Sequence, residues 1–202
     1  MVKELWDKIF TEGKDFTHLN VVFLDQLLKK ITKLRENRPA ETLVDLGAGA
    51  GDAAVKFAQK GFRVQAVDWS EVALKQAEEL AKRNEVSDKI TFTQMSLEVI
   101  TPAKIIFNPA DIILCKLTLA FVENKDGFLA SVKSLMSGSS IFVLITPVLY
   151  AGVTYTQEDK PHIAIDFNEV QDLLRKYFNR AEIFHHGYSG ERQDVITFLA
   201  IK

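Results

Sequence analysis

The stretch Thr42-Leu43-Val44-Asp45-Leu46-Gly47-Ala48-Gly49-Ala50-Gly51-Asp52 passes from a short apolar run to glycines at alternate positions and then into a helix-forming segment. The run 42–46, set off by Pro39, reads as a buried strand, and 52–60 reads as a helix stopped by Gly61. Glycines between a strand and a helix let the backbone turn tightly and approach a ligand without Cβ interference. The helix that follows presents free N–H groups to whatever lies over the loop. Asp68 closes the next strand, 62–67, where an acid can accept from ribose hydroxyls. A dinucleotide fingerprint would place its third glycine at 52, but Asp52 stands there and the glycine falls one residue early. Asp45 would also repel a pyrophosphate, so a ligand carrying a cation suits this loop better.

Strand and helix patterns alternate outward from this loop. Leu24, Leu27, Leu28, Ile31 and Leu34 recur at helical spacing within 18–36. Ser70 N-caps a helix running to Arg83, and Ile90 and Phe92 alternate with threonines as a third strand. A fourth strand at 111–115, a helix at 126–137 ending at Gly138, and a fifth strand at 141–145 follow. Asp166 to Glu169 resembles a capping box opening a helix at 167–178. The closing strands, 181–186 and 194–201, flank the loop 187–190, which is too short for a crossover helix, so they pair antiparallel. The expected fold is α/β: a three-layer, Rossmann-like sandwich whose seven-stranded, mostly parallel sheet has an antiparallel last strand. One domain is expected over 1–202, with a helical lid segment at 1–38 and the core at 39–202.

Composition narrows the function. The 202 residues carry 25 Lys+Arg against 27 Asp+Glu, a net charge of −2, which argues against a strongly basic nucleic-acid footprint. The single cysteine, Cys115, excludes an intramolecular disulfide framework and a Cys-rich zinc site. No apolar run approaches a membrane span, and the first 20 residues mix charges as no secretory signal does. A soluble, cytoplasmic protein is the expectation.

With the loop, Asp68-Trp69-Ser70, the run Asp111 to Leu114 and the final hairpin in place, the sequence resembles the class I S-adenosylmethionine-dependent methyltransferases over roughly 20–202. The resemblance implies S-adenosylmethionine as cofactor, S-adenosylhomocysteine as product and no metal. It implies that Asp45, Gly47, Ala48, Gly49 and Gly51 hold the methionine portion, Asp68 the ribose hydroxyls and Trp69 the adenine. Ser96 stands where the family often carries an aspartate for the adenine amino group, and the Leu97 N–H is a second contact there. Cys115 and Lys116 end the fourth strand beside this ligand. Cys115 also reads as a small core residue, and Lys116 can reach the cofactor carboxylate, an acidic substrate or solvent.

The pocket walls in compact members are the N-terminal segment and the loop after the fifth strand, here Trp6, Phe10, Phe16 and His18, with Tyr150, Tyr155 and His162. The chain lacks the Asn/Asp-Pro-Pro-aromatic motif of amino-methylating enzymes after strand four, and it lacks acids at 115–122 for a metal-dependent member. Lys29, Lys30, Lys33, Arg35 and Arg38 can face RNA, or form the solvated face of their helix. The expected reaction is methyl transfer to an O, N or S atom of a small molecule. An RNA methyltransferase, an NAD-dependent oxidoreductase and a non-catalytic cofactor binder are the rivals.

Overall fold

The computed structural model describes residues 3–13, 18–100, 102–152, 164–189 and 193–202. The apolar run after Pro39 forms β1 (Thr42–Leu46), followed by β2 (Arg63–Asp68), β3 (Ile90–Gln94), β4 (Ala110–Lys116) and β5 (Met136–Leu149). A two-residue β6 (Ile165–Asp166), then β7 (Arg180–Ser189) and β8 (Gln193–Ile201), complete one sheet. The order is β3-β2-β1-β4-β5-β8-β7, with β6 lying alongside the end of β5. The strands from β3 to β5 are parallel, and β8 runs antiparallel to both β5 and β7. The seven expected strands are present, and β6 is an eighth.

Strict alternation along the strands sends side chains to two helical layers. Leu43, Val64, Ala66, Ile112, Leu114, Ile141 and Val143 face α2 (Val21–Leu34), α3 (Asp52–Gln59) and part of α4 (Glu71–Arg83). Val44, Leu46, Val67, Ile113, Phe142 and Phe198 face α5 (Lys125–Ser134) and α6 (Phe167–Tyr177). Each fully buried Leu, Ile or Phe contributes roughly 1.5–3 kcal/mol. Gln65, fully buried in β2, is satisfied by donating to Thr93 Oγ1 and Lys104 O and accepting from Ile106 N.

Side-chain caps set the helix starts. Asn20 Oδ1 accepts from Val22 and Phe23 N–H, Ser70 Oγ from Ala73 N–H, and Asp166 Oδ1 from Asn168 and Glu169 N–H. The second helix is therefore shorter than 18–36, starting after Asn20 and ending before Glu36 and Asn37, both at positive φ. The fifth helix also stops early. Gly138 is no helix end but lies in β5, where Ser140 Oγ donates to Ala110 O and the ladder to β4 shifts register. The N-terminal segment holds two helices, α1 (Lys3–Thr11) and α2.

Arg35 corrects the expected basic surface. Its side chain is 4% exposed, and its guanidinium donates to Asp111 O, Asp111 Oδ1, Ser139 O and Pro39 O. Asp111 Oδ2 accepts from Glu41 N, Thr42 N and Thr42 Oγ1. This cluster ties the end of α2 to the starts of β1, β4 and β5. Asp111→Ala leaves a buried guanidinium without its carboxylate and should destabilise by roughly 3–5 kcal/mol. A urea denaturation midpoint equal to the wild type would contradict this role.

Candidate functional site

The sheet order reverses between β1 and β4, and in open α/β sheets ligands bind outside the carboxyl ends of the strands at such a point. A cavity of about 210 Å³ opens there, walled by the glycine loop, the ends of β2 and β4, the 96–98 turn, the 117–122 segment and α1. Of the expected residues, Trp6, Phe10, His18, Asp45, Gly47, Ala48, Gly49, Gly51, Asp68, Trp69, Ser96, Leu97 and Lys116 all line it.

The loop needs its glycines for two reasons. Gly47, Gly49 and Gly51 have φ of 80°, 54° and 86°, where a side chain is strained. A Cβ on Gly47 would also stand 2.3 Å from Thr118 Oγ1, and one on Gly51 would stand 2.6 Å from the Ala77 Cβ. A side chain at either position would collide with a protein neighbour, and both glycines also line the cavity. Gly49 faces the cavity side, its would-be Cβ 3.3 Å from the edge of the Phe10 ring.

Asp45 is 1% exposed near the end of β1, and its Oδ2 has no hydrogen-bond partner among the described residues. Burial pushes its carboxyl up to about 7, with Asp68 and Asp52 adding to the rise and Lys116 opposing it. Asp68 is 7% exposed; Oδ2 accepts from Gly49 N–H and Oδ1 from Ser70 N–H, both at 2.9 Å. Burial holds its carboxyl above the ordinary value despite those bonds, and Asp7 reinforces the shift. Asp52 behaves oppositely. Burial raises its carboxyl, but Lys56, the Leu19 N–H and His18 outweigh this, leaving it below the usual range.

Helix α1 lies across the cavity. Ser70 Oγ donates to Asp7, Gln76 Nε2 donates to Phe10 O, and the Trp6 and Phe121 rings meet edge to face at 4.7 Å. His18 Nδ1 is 2.9 Å from Asp52 Oδ1 at the mouth. Sequence reasoning missed Asp52, Glu98, Phe121 and Val122 as wall residues. Phe121 and Val122 lie beyond the expected fourth strand, and the short helical turn Leu119–Phe121 after β4 brings them to the cavity.

Two expected residues lie elsewhere. Cys115 is fully buried in the core beneath α5, absent from the cavity wall, and burial pushes its thiol up. An inward position in β4 makes it core rather than lining. Tyr150 packs against Phe167, centroids 5.2 Å apart, and joins the same core cluster. Phe16, Tyr155 and His162 lie outside the described residues.

Residues 37–194 match the model of the methyltransferase domain family. The chain belongs to the class I methyltransferase family. A ubiquinone biosynthesis O-methyltransferase of Rickettsia canadensis is 27% identical over 128 residues, 63% of this chain and 52% of that protein. The chain thus spans about half the length of such curated relatives. A 23S rRNA (uracil(1939)-C(5))-methyltransferase of Aliivibrio salmonicida is 32% identical over 91 residues, 45% of this chain and 20% of that one. The expectation against nucleic acid therefore finds no support among the relatives. By structure, the cyclase SpnF superposes with a TM-score of 0.73 at 13% identity, covering 99% of this chain and 95% of that one. An S-adenosylmethionine-dependent methyltransferase from Clostridium acetobutylicum gives 0.67 at 14%, covering 98% and 96%. No helix among the described residues is long and apolar enough to cross a membrane.

The raised Asp45 carboxyl has a testable signature. The folded state keeps a proton that the unfolded chain loses between about pH 4 and 7, so this group lowers stability as pH rises through that window. Asp45→Asn removes the penalty. Its stability gain over wild type should be larger at about pH 8 than at about pH 5, by roughly 2 kcal/mol. Parallel denaturation curves at the two pH values check this, and a pH-independent difference would contradict it.

Proposed function

We propose that the cleft binds S-adenosylmethionine and directs its methyl group to an O, N or S atom of a small molecule. The observation that carries the reading is the buried Oδ2 of Asp45, unpartnered among the described residues, beside a glycine loop, an arrangement suited to an ammonium group. In this reading Asp45 and the loop hold the methionine portion, Asp68 accepts from the ribose hydroxyls and Trp69 lies against the adenine. Ser96 and Leu97 stand at the far end of the same wall. When bound, the cofactor supplies a sulfonium-activated methyl group, so the protein's task is to align the acceptor and exclude water.

Helix α1 acts as the cover, with Trp6, Phe10 and Phe121 giving the acceptor space an aromatic wall. Within the expected lid segment 1–38 the cover is thus α1 alone, since α2 buries Leu24, Leu27 and Ile31 in the core. A small acceptor fits this enclosed wall. An RNA acceptor is the second reading, favoured by the rRNA methyltransferase among the relatives. Against it, the exposed cations Lys33 and Arg38 sit toward the end of α2 that Arg35 anchors at the starts of β1 and β4, away from the cleft. The SpnF likeness shows that the fold alone does not assign the chemistry.

Calorimetric titration tests the reading. S-adenosylhomocysteine should bind and NAD should not, and Asp68→Ala should weaken the former roughly 10- to 100-fold. NAD binding in its place, or an unchanged affinity in a folded Asp68 variant, would contradict the assignment. The lid has a separate readout: amide exchange in 3–11 should slow when S-adenosylhomocysteine binds, while 21–34 stays as it was. Uniform exchange in both states would remove the lid.

A further inference from the structure

Among the described residues, four other than glycine have a positive φ: Glu36, Asn37, Glu85 and Leu117. Glu36 and Asn37 follow the last turn of α2, and Glu85 follows that of α4, where a left-handed residue commonly ends a helix. Leu117 has no such reason. It comes directly after β4 at φ 59°, a conformation that is costly for a bulky side chain and free for glycine.

The turn is fixed from three sides. The Leu117 N–H donates to Ile145 O of β5 at 2.8 Å, and Thr118 Oγ1 donates to Lys116 O at 2.9 Å. Thr118 also fills the space that the missing Cβ of Gly47 leaves open. These contacts set the backbone and would serve a glycine at 117 equally well. The leucine side chain must therefore have a use of its own. It is half-buried and belongs to neither of the core clusters that flank the sheet. It lines the cavity instead, on the same segment as Phe121, whose ring meets Trp6 edge to face. Strain retained where a glycine would relieve it, at a residue that faces a cleft, points to a contact made with what the cleft binds.

We propose that Leu117 is a specificity-determining residue of the acceptor space, which it closes with an apolar surface against a flat, apolar ring of the acceptor. The inference deepens the reading of the cleft as a cofactor and acceptor site and rests on it. A ring placed between Leu117, Trp6 and Phe121 removes apolar area from water on both partners and meets aromatic neighbours at their preferred edges and faces. An acceptor with polar groups at that end would leave them unpaired.

The test uses the wild type, Leu117→Gly, Leu117→Ala and Leu117→Met. Three quantities are measured: the urea midpoint, S-adenosylhomocysteine affinity by calorimetry, and 4-methylphenol affinity by NMR titration of protein saturated with S-adenosylhomocysteine. Leu117→Gly should unfold at or above the wild-type midpoint and above that of Leu117→Ala, because the alanine keeps a Cβ at the strained position. The loaded Gly and Ala variants should bind 4-methylphenol about tenfold more weakly than the wild type, and Leu117→Met should recover most of that loss. S-adenosylhomocysteine affinity should change by less than about twofold in all three. A Leu117→Gly midpoint well below the wild type would make the side chain a support of the fold and overturn the proposal. Equal 4-methylphenol affinity in all four proteins, or a loss confined to S-adenosylhomocysteine, overturns it with the cofactor reading intact. So does a loaded wild type that does not bind 4-methylphenol. A wild type that does not bind S-adenosylhomocysteine overturns the cofactor reading itself, and this inference with it.

Discussion

A carboxylate in a nearly water-free position, with one oxygen left without a donor among the described residues, is what the rest of this structure is arranged around. Asp45 lies near the end of the central parallel strand, where hydrophobic neighbours on both faces remove solvent, and its carboxyl consequently rises to about 7. An isolated buried charge of this kind destabilises a fold unless something pairs with it. The glycine loop, Asp68 and the end of β4 surround that position, and the proposed function assigns them to a nucleoside cofactor. The cost in the free protein and the proposed affinity for a cationic ligand are two aspects of one interaction.

The scaffold holds this site rigidly from the opposite end of the sheet. Arg35 and Asp111 fasten the starts of β1, β4 and β5, so the far ends of β1 and β4 are fixed relative to each other where the sheet order reverses. The cover is attached locally: among the described residues, α1 meets the core through contacts of Asp7, Phe10 and Trp6. A rigid floor with a locally attached cover is the arrangement expected for a site that must admit a ligand and then exclude water.

Much of this is legible in the residues because local chemistry dominates. The alternating glycines, Asp68 and the Ser70 and Asp166 caps each have a local physical cause, and the structure keeps each in place; the last two strands pair antiparallel as expected, but Gly187, Tyr188 and Ser189 lie in β7 rather than in the expected loop. What is not legible depends on long-range contacts. Arg35 reads as one more surface cation on its helix until Asp111 and Ser139 are brought beside it from distant strands. Gly138 reads as the end of a helix over 126–137, yet the hydroxyls of Ser137 and Ser140 continue the strand through a register shift. Gly47 and Gly51 suggest ligand approach by sequence alone, and the close packing of Thr118 and Ala77 adds a second reason that the sequence does not show. Cys115 and Tyr150 border the elements of the site in the chain, and the parity of the strand and the packing on Phe167 turn them into the core.

The central claim is that the buried Asp45 carboxylate is completed by a ligand's ammonium, and proton release on binding tests it most directly. Near pH 6 the free protein holds Asp45 mostly protonated, whereas an ammonium partner requires the ionised form. Titration of S-adenosylhomocysteine in buffers of different ionisation enthalpy near pH 6 should therefore show release of close to one proton, fading by about pH 9. That release should be absent in Asp45→Asn. Binding with no proton release near pH 6, or with the same release in Asp45→Asn, would contradict the account.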